Sequence, residues 1–456
     1  MIKPKGTLTT YEAPKGELLN CDYTVKVRLS NEEDWKVLFS HDAIVSDWHI
    51  DQSINLEHMS FAYFDSDFSQ PVEVSVISNN VKIESARIRP HALNIEFTIH
   101  ENEIRFFLDQ PKKISVEING DIFHNLFIFA DYIEELPNLI ENPDILYFGP
   151  GIHDIGCMVL KSNQMVYIHG SAIVFGCFYC DGADNLIIKG RGILDGSKLE
   201  HRQEANRARM INLLNGHNII IEGIIIRDSP CWSIVPEFCT DVIIRNIKQI
   251  TYNWNSDGLD ICSCTKILIE DVFIRNYDDN ISIKSYGGDN RDILMKDSVI
   301  WSDRAHNMLI GPESSQNMNN VFEKIIFRNI DVLENREFND VFMGVMALMC
   351  ADNAFFQDIT WENIRVDDIS YGKLISIQFA KEFATTVGSK ISNIRFNNIN
   401  YTGRSIYKSK IHGFDDVHDI DGVEIRNLKI NGYMQEISSK LFDINQFVRN
   451  ISFSND

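Results

Sequence analysis

Three aspartates close together in this chain have the residue type and spacing for acid–base chemistry. Asp257 stands in Asn255-Ser256-Asp257-Gly258-Leu259-Asp260, and Asp278 and Asp279 follow in Tyr277-Asp278-Asp279-Asn280. One carboxylic acid can protonate a leaving oxygen while a second carboxylate activates water, which is what hydrolysis of a glycosidic bond requires. With inversion, the two carboxyl groups are expected to stand about 6.5–9.5 Å apart, leaving room for the water. Crowding also raises the pKa of at least one member by like-charge repulsion, so that an acid stays protonated near neutrality. The bland alternative is that Asp and Asn simply decorate turns, and the doublets Asp367-Asp368 and Asp415-Asp416 show that such pairs arise without this context. A calcium-binding repeat is disfavoured because no Gly-rich nonapeptide is present.

Such groups must be brought together by a scaffold, and from residue 185 the sequence repeats one. NLIIKGRGILDG at 185 is followed by NIIIEGIIIRDS at 218, DVIIRNIKQI at 241, KILIEDVFIRNY at 266 and DILMKDSVIW at 292. KIIFRNIDVL at 324, DITWENIRVDDI at 358, NIRFNNINY at 393 and GVEIRNLKI at 422 continue it. Starts lie from 23 residues apart (218 to 241) to 35 apart (358 to 393), a solenoid period too short for a helix in every repeat. Ile and Val alternate with Lys, Glu, Arg or Asn, as when one strand face points into a stacked core. The expected fold is a right-handed parallel β-helix over 141–456. Residues on neighbouring rungs then lie about 4.8 Å apart, so Asp257 and the Asp278/Asp279 pair can converge.

Residues 1–140 read as a separate N-terminal antiparallel β-sandwich domain. YTVKVRLS, PVEVSVIS, NIEFTIH, EIRFFLD and KISVEING are strand-like runs parted by turn residues and lacking the repeat. The boundary is placed between Leu136-Pro137 and Pro143, before YFGPGIHDIG.

Composition narrows the partners. Lys and Arg number 43 against 65 Asp and Glu, and the net charge of −22 disfavours nucleic acid and anionic membrane surfaces. It also disfavours polyanionic substrates, unless a local basic pocket overrides the field. The N-terminus lacks the apolar stretch of a secretory signal, and no run approaches the roughly 18 apolar residues of a membrane span. A cytoplasmic protein is expected, or a secreted one if an upstream signal was removed. The nine cysteines form no matched CxxC pattern and are read as buried free thiols rather than metal ligands. No metal and no cofactor is expected. GRGILDG lies between strands, not ahead of a helix, and carries no nucleotide fingerprint.

The block SPCWSIVPEFCTDVIIRNI, NSDGLDI and KILIEDVFIRNYDDNISIKS resembles the polygalacturonase-type family, glycoside hydrolase family 28, whose signatures are Asn-Thr-Asp-Gly, Asp-Asp-Cys, Gly-His-Gly and Arg-x-Lys. It is also similar to the dextranase and isopullulanase family, family 49, of the same clan, which carries an N-terminal β-sandwich. YFGPGIHDIG and VYIHGSAIVFG resemble that family's opening coils. The resemblance covers residues 145–315 and implies an inverting hydrolase in which Asp278 is the general acid and Asp257 and Asp279 hold and activate water. His306, in Arg304-Ala305-His306-Asn307, matches the Gly-His-Gly segment and would sit beside the carboxylates. Two departures stand out: Asn280 replaces the Cys after the doublet, and NDVFMGVMAL stands where the Arg-x-Lys that binds a uronate carboxylate is found. The substrate expected is therefore a neutral α-linked oligo- or polysaccharide.

Further substrate contacts are assigned to Asn255 and Lys284, against the reading of Lys284 as a solvated coil lysine, and to Trp254 and Trp301, which flank the catalytic segments. Trp232 and Trp361 are read as core. Insertions at 195–210 and 284–292 are expected to wall off one end of the cleft, favouring short oligosaccharides cut from one end. The competing classes are a non-catalytic carbohydrate-binding or structural β-helix, a uronate-cleaving polygalacturonase, and a lyase. The last lacks the calcium and basic residues its chemistry uses.

Overall fold

The computed structural model describes residues 6–455 apart from 50, 52, 139–143, 202–207, 316–317, 338–343, 380–382, 404–406, 437 and 439. Among the described residues the only helical element is the 3-10 turn His91–Leu93, and no helix is long and apolar enough to cross a membrane. The chain divides into two compact units: residues 1–154 with 166–175 and 190–193, and residues 155–165, 176–189 and 194–456.

The first unit contains two sheets. One runs Lys36–Leu38, Tyr23–Leu29, Val72–Ser78, Glu103–Leu108, Phe97–His100, antiparallel throughout. In the other, Leu126–Tyr132 lies parallel to the end of Ile54–Ser66, the one departure from antiparallel pairing there. Alternate residues of Tyr23–Leu29 are buried, and Val25 and Val27 join Val74, Val76, Phe106, Val116 and Ile128 in one core drawn from both sheets. Every strand-like run read from the N-terminal sequence is a strand.

The second unit holds most of the right-handed parallel β-helix, whose sheet opens with Leu146–Phe148 in the first unit and in which each coil pairs in register with the next. Ile219, Val242, Ile267, Ile293, Ile325, Ile359, Ile394, Val423 and Ile451 form one inward column, so the alternation of the repeat becomes a stack of like side chains. Three faces result. The one that matters for chemistry contains Ile211–Leu214, Ile234–Glu237, Leu259–Cys262, Ile281–Lys284, Met308–Ile310, Met346–Cys350 and Ile375–Phe379, each beside the last.

The Asn/Asp signal of the repeats has a backbone cause. Asn246, Asp271, Asp297, Asn329, Asn363, Asn398 and Asn427 occupy one corner of successive coils with φ of 53° to 56°, the left-handed region that short polar side chains tolerate best. Their amides also stack, with Asn398 donating to Asn363 and Asn427 to Asn398 at 3.0 Å. Seven of the nine cysteines are buried, and all nine are free thiols.

Candidate active site

The corner leading into the Leu259–Cys262 face gathers the acids. Leu259 pairs with Ile281 and Ile281 with Met308, which sets Asp257, Asp279 and His306 at one register position on three successive rungs, with Asp278 one residue earlier. Main-chain bonds hold the corner: Gly258 N to Asp279 O at 2.8 Å, Leu259 N to Asn280 O at 3.0 Å and Asn280 N to His306 O at 2.9 Å. Gly258 is required by this approach, since a Cβ there would stand 2.3 Å from the Asn280 carbonyl oxygen. Asn280, in place of the family's Cys, opens a buried amide ladder, donating to Asn307 at 2.7 Å, which donates to Asn335 at 2.8 Å. That ladder pairs the amide N–H groups sealed inside the coils, while Asn280 Oδ1 is left without a partner.

Asp257, Asp278 and Asp279 each present a carboxylate oxygen within 4.8 Å of the other two. These are the nearest oxygens: Asp257 and Asp279 share a register position and so approach at the rung spacing, with Asp278 one residue off it. A water hydrogen-bonded to two oxygens at about 2.7 Å and the tetrahedral angle spans about 4.4 Å, so the gap suits one clamped water. The cluster's charge is met by Lys284 at Asp257 and His306 at Asp279, and no metal is assigned to it.

Each acid has its own surroundings. Asp278 accepts from Asn255 N at 3.0 Å; burial, then the charge of Asp279, raises its pKa against the pull of Arg304. Burial acts upward on Asp279 too, but His306 outweighs it, with Nδ1 at 2.8 Å and its main-chain N–H at 3.0 Å, and holds this carboxyl below its ordinary value. Reciprocally, burial would lower the His306 pKa, yet Asp279 raises it. Asp257 is pushed well up by burial and by Asp260, with Lys284 opposing. Its Oδ2 lies 3.1 Å from Lys284 Nζ while its buried Oδ1 has no hydrogen-bond partner. These acids titrate as a set rather than singly.

The acids line a cavity of about 470 Å³. Trp254 forms an exposed wall, its indole stacked on Tyr277 with centroids 6.3 Å apart and the planes 9° from parallel, and the Arg304 guanidinium lies over both rings. Of the residues singled out from sequence, Asp257, Asp278, Asp279, Asn255, Lys284, His306 and Trp254 all border this cavity. Trp301 does not. It is fully buried under the Arg275 guanidinium, and its Nε1–H donates to Asp303 at 2.9 Å. Conversely, Trp232, read as core, is buried yet borders the cavity beneath Lys284. Lys284 is no solvated lysine but is sealed among carboxylates.

Sequence reasoning missed Asp260, Arg304, Glu313 and Glu337. Asp260 and Arg304 lay inside motifs already marked, whereas Glu313 and Glu337 reach the cavity from loops without a motif. Of the insertions expected to wall the cleft, residues 202–207 of the first lie outside the described residues. The second folds down on its own face, with Ser263 Oγ accepting from Tyr286 N and Gly288 N.

A family model described as glycosyl hydrolases family 28 matches residues 163–448. Among solved structures the chain is similar to Dex49A from Penicillium minioluteum, at 16% identity over 97% of this chain and 96% of that one, with a TM-score of 0.71. It is also similar to a hyperthermoactive exopolygalacturonase from Thermotoga maritima, at 17% identity over 68% of this chain and 84% of that one, TM-score 0.52. At these identities the likeness concerns the fold. A probable polygalacturonase of Vitis vinifera is 26% identical over 169 residues, 33% of this chain and 34% of that protein, so the match spans about a third of the relative's length.

Proposed function

The chain belongs to glycosyl hydrolase family 28, and from that premise we propose that it is a hydrolase of glycosidic bonds that cleaves a neutral α-linked glycan with inversion through Asp257, Asp278 and Asp279. Asp278, the counterpart of the family's general acid, donates the proton to the leaving oxygen, burial and the charge of Asp279 favouring its protonated form. Asp279, ionised beside His306, and Asp257, whose ionised form Lys284 favours against burial, hold the water and take its proton as it attacks the opposite face of the sugar. Direct attack by that water gives inversion in one step.

The observation that carries the neutral substrate is the charge of the cavity wall. Asp257, Asp279, Glu313 and Glu337 face Arg304, Lys284 and His306, and Lys284 and His306 are already held by carboxylates. Bringing a uronate into such a wall costs like-charge repulsion and desolvation, set against Arg304 alone. The exposed Trp254 face suits the apolar face of a neutral pyranose. We further propose attack at a chain end, on short oligosaccharides.

The polygalacturonase names among the relatives supply the second reading, a uronate-cleaving enzyme, and one panel decides between them. Polygalacturonate, dextran, pullulan and short gluco-, galacto- and rhamno-oligosaccharides should be compared, with NMR of the first anomer released. Cleavage of a neutral member with inverted product is expected; a rapid viscosity drop on polygalacturonate, or a first product of retained configuration, defeats the substrate or the mechanism respectively. On the substrate found, Asp278→Asn should lower kcat by about 10²–10⁴ with the fold intact.

A further inference from the structure

Lys284 ends the strand Ile281–Lys284, and its side chain is 3% exposed. Its Nζ lies 3.1 Å from Asp257 Oδ2, 2.8 Å from Asp260 Oδ1 and 2.8 Å from Glu313 Oε2, and 3.7 Å from the centroid of the Trp232 indole. An ammonium has three N–H donors. Three carboxylate oxygens stand within ion-pair distance of Nζ and the indole covers the remaining side, so the ammonium is engaged by protein groups rather than held out for a sugar hydroxyl. The three acids come from two coils: Asp257 and Asp260 at the Leu259–Cys262 rung, and Glu313 beyond the Met308–Ile310 rung. Asp260 is fully buried and neither of its carboxylate oxygens has a hydrogen-bond partner, so the ion pair with Lys284 is what offsets its charge.

We propose that Lys284 is a positioning residue that touches no substrate: it favours the ionised form of Asp257 and fixes the orientation of that carboxylate beside Asp278 and Asp279. The inference rests on the reading of Asp257 as a water-holding base. Without the ammonium, Asp257 and Asp260 would be two buried carboxylates side by side, and protonation would remove the base. Burial pushes Asp260 up to about 6 even with Lys284 beside it. Glu313, at 34% exposure, competes for the same cation and so tempers the hold on Asp257. The other charged or titratable groups acting here are the Cys262 thiol on the rung of Asp260 and, from the next coils, Asp278, Asp279 and Tyr286, with His306 behind Asp279.

The test uses two variants whose effects have opposite sign. In Lys284→Met the acid limb of the kcat profile should rise by about one pH unit or more and kcat should fall by about 10² or more, with KM little changed. In Glu313→Gln, where the ammonium is divided between two carboxylates, the acid limb should move down. Carboxyl ¹³C NMR titration of the Asp257 resonance in the whole protein, assigned from its loss in Asp257→Asn, should show the same two shifts without any substrate. A mistaken choice of sugar therefore leaves that readout standing. A raised KM with an unmoved limb in Lys284→Met would make it a substrate contact and overturn the proposal. So would an NMR shift that the kinetic limb does not follow. If Lys284→Met fails to fold, Glu313→Gln alone decides: a limb that stays or rises overturns the inference.

Discussion

His306 and Asp279 show what a register position does for a single side chain. His306 is buried, which disfavours its charge, yet it donates to Asp279 at 2.8 Å and the pair hold each other ionised. Stability from the raised His306 pKa is complete below its ordinary value of about 6.5 and is lost as the pH rises through the folded value. That from the lowered Asp279 pKa is present above about 3.9 and is lost as the pH falls through its folded value. The pair should therefore stabilise from about pH 4 to beyond 6.5. His306→Gln should lower stability by about 1–3 kcal/mol at pH 5–6, and the deficit should shrink as the pH climbs above 7. Thermal unfolding of both proteins across pH 4–9 checks this. A deficit independent of pH would mean that His306 is held only by packing.

At the scale of elements, the site is a property of how closely two coils approach. Gly258 lets the Leu259–Cys262 rung settle on the next, and backbone, not a movable side chain, fills the space a Cβ would need. Gly258→Ala should therefore cost about 1–3 kcal/mol through forced backbone movement. Because a misplacement of about 1 Å between Asp257 and Asp279 can cost about 10² in rate, kcat should fall while bound substrate is little weakened. Denaturant unfolding together with kcat and KM would show it, and wild-type values on both counts would contradict the close-approach argument. The same scale explains Trp301 and Trp254. Trp301 follows the Phe273–Asn276 face and is enclosed with Arg275 and Asp303, whereas Trp254 sits in the corner segment and stays exposed.

For the whole molecule the decisive quantity is the net charge of −22 and its sign at the cavity. A neutral glycan feels little of this field, so kcat/KM should change by less than about twofold between about 0.05 and 0.5 M salt. A polyuronate would be repelled, and screening should raise kcat/KM several-fold over that range. The salt series thus separates the two readings by a route independent of product analysis, and a steep rise would count against the neutral substrate.

The solenoid was legible because its physics is local: alternating Ile and Val select inward faces, and the left-handed corners select Asn and Asp, so both leave a periodic record from 185 to 422. Asp257, Asp278 and Asp279 were legible because they sit at corners of adjacent coils. The sequence could not show that Asp257, Asp279 and His306 share one register while Asp278 stands one residue off it, because that depends on the differing lengths of successive coils. Nor could it show that Lys284 is sealed. An outward-facing lysine on a strand is solvated by default, and only tertiary structure, by laying Glu313 and the Trp232 indole over it, decides that its charge serves the carboxylates.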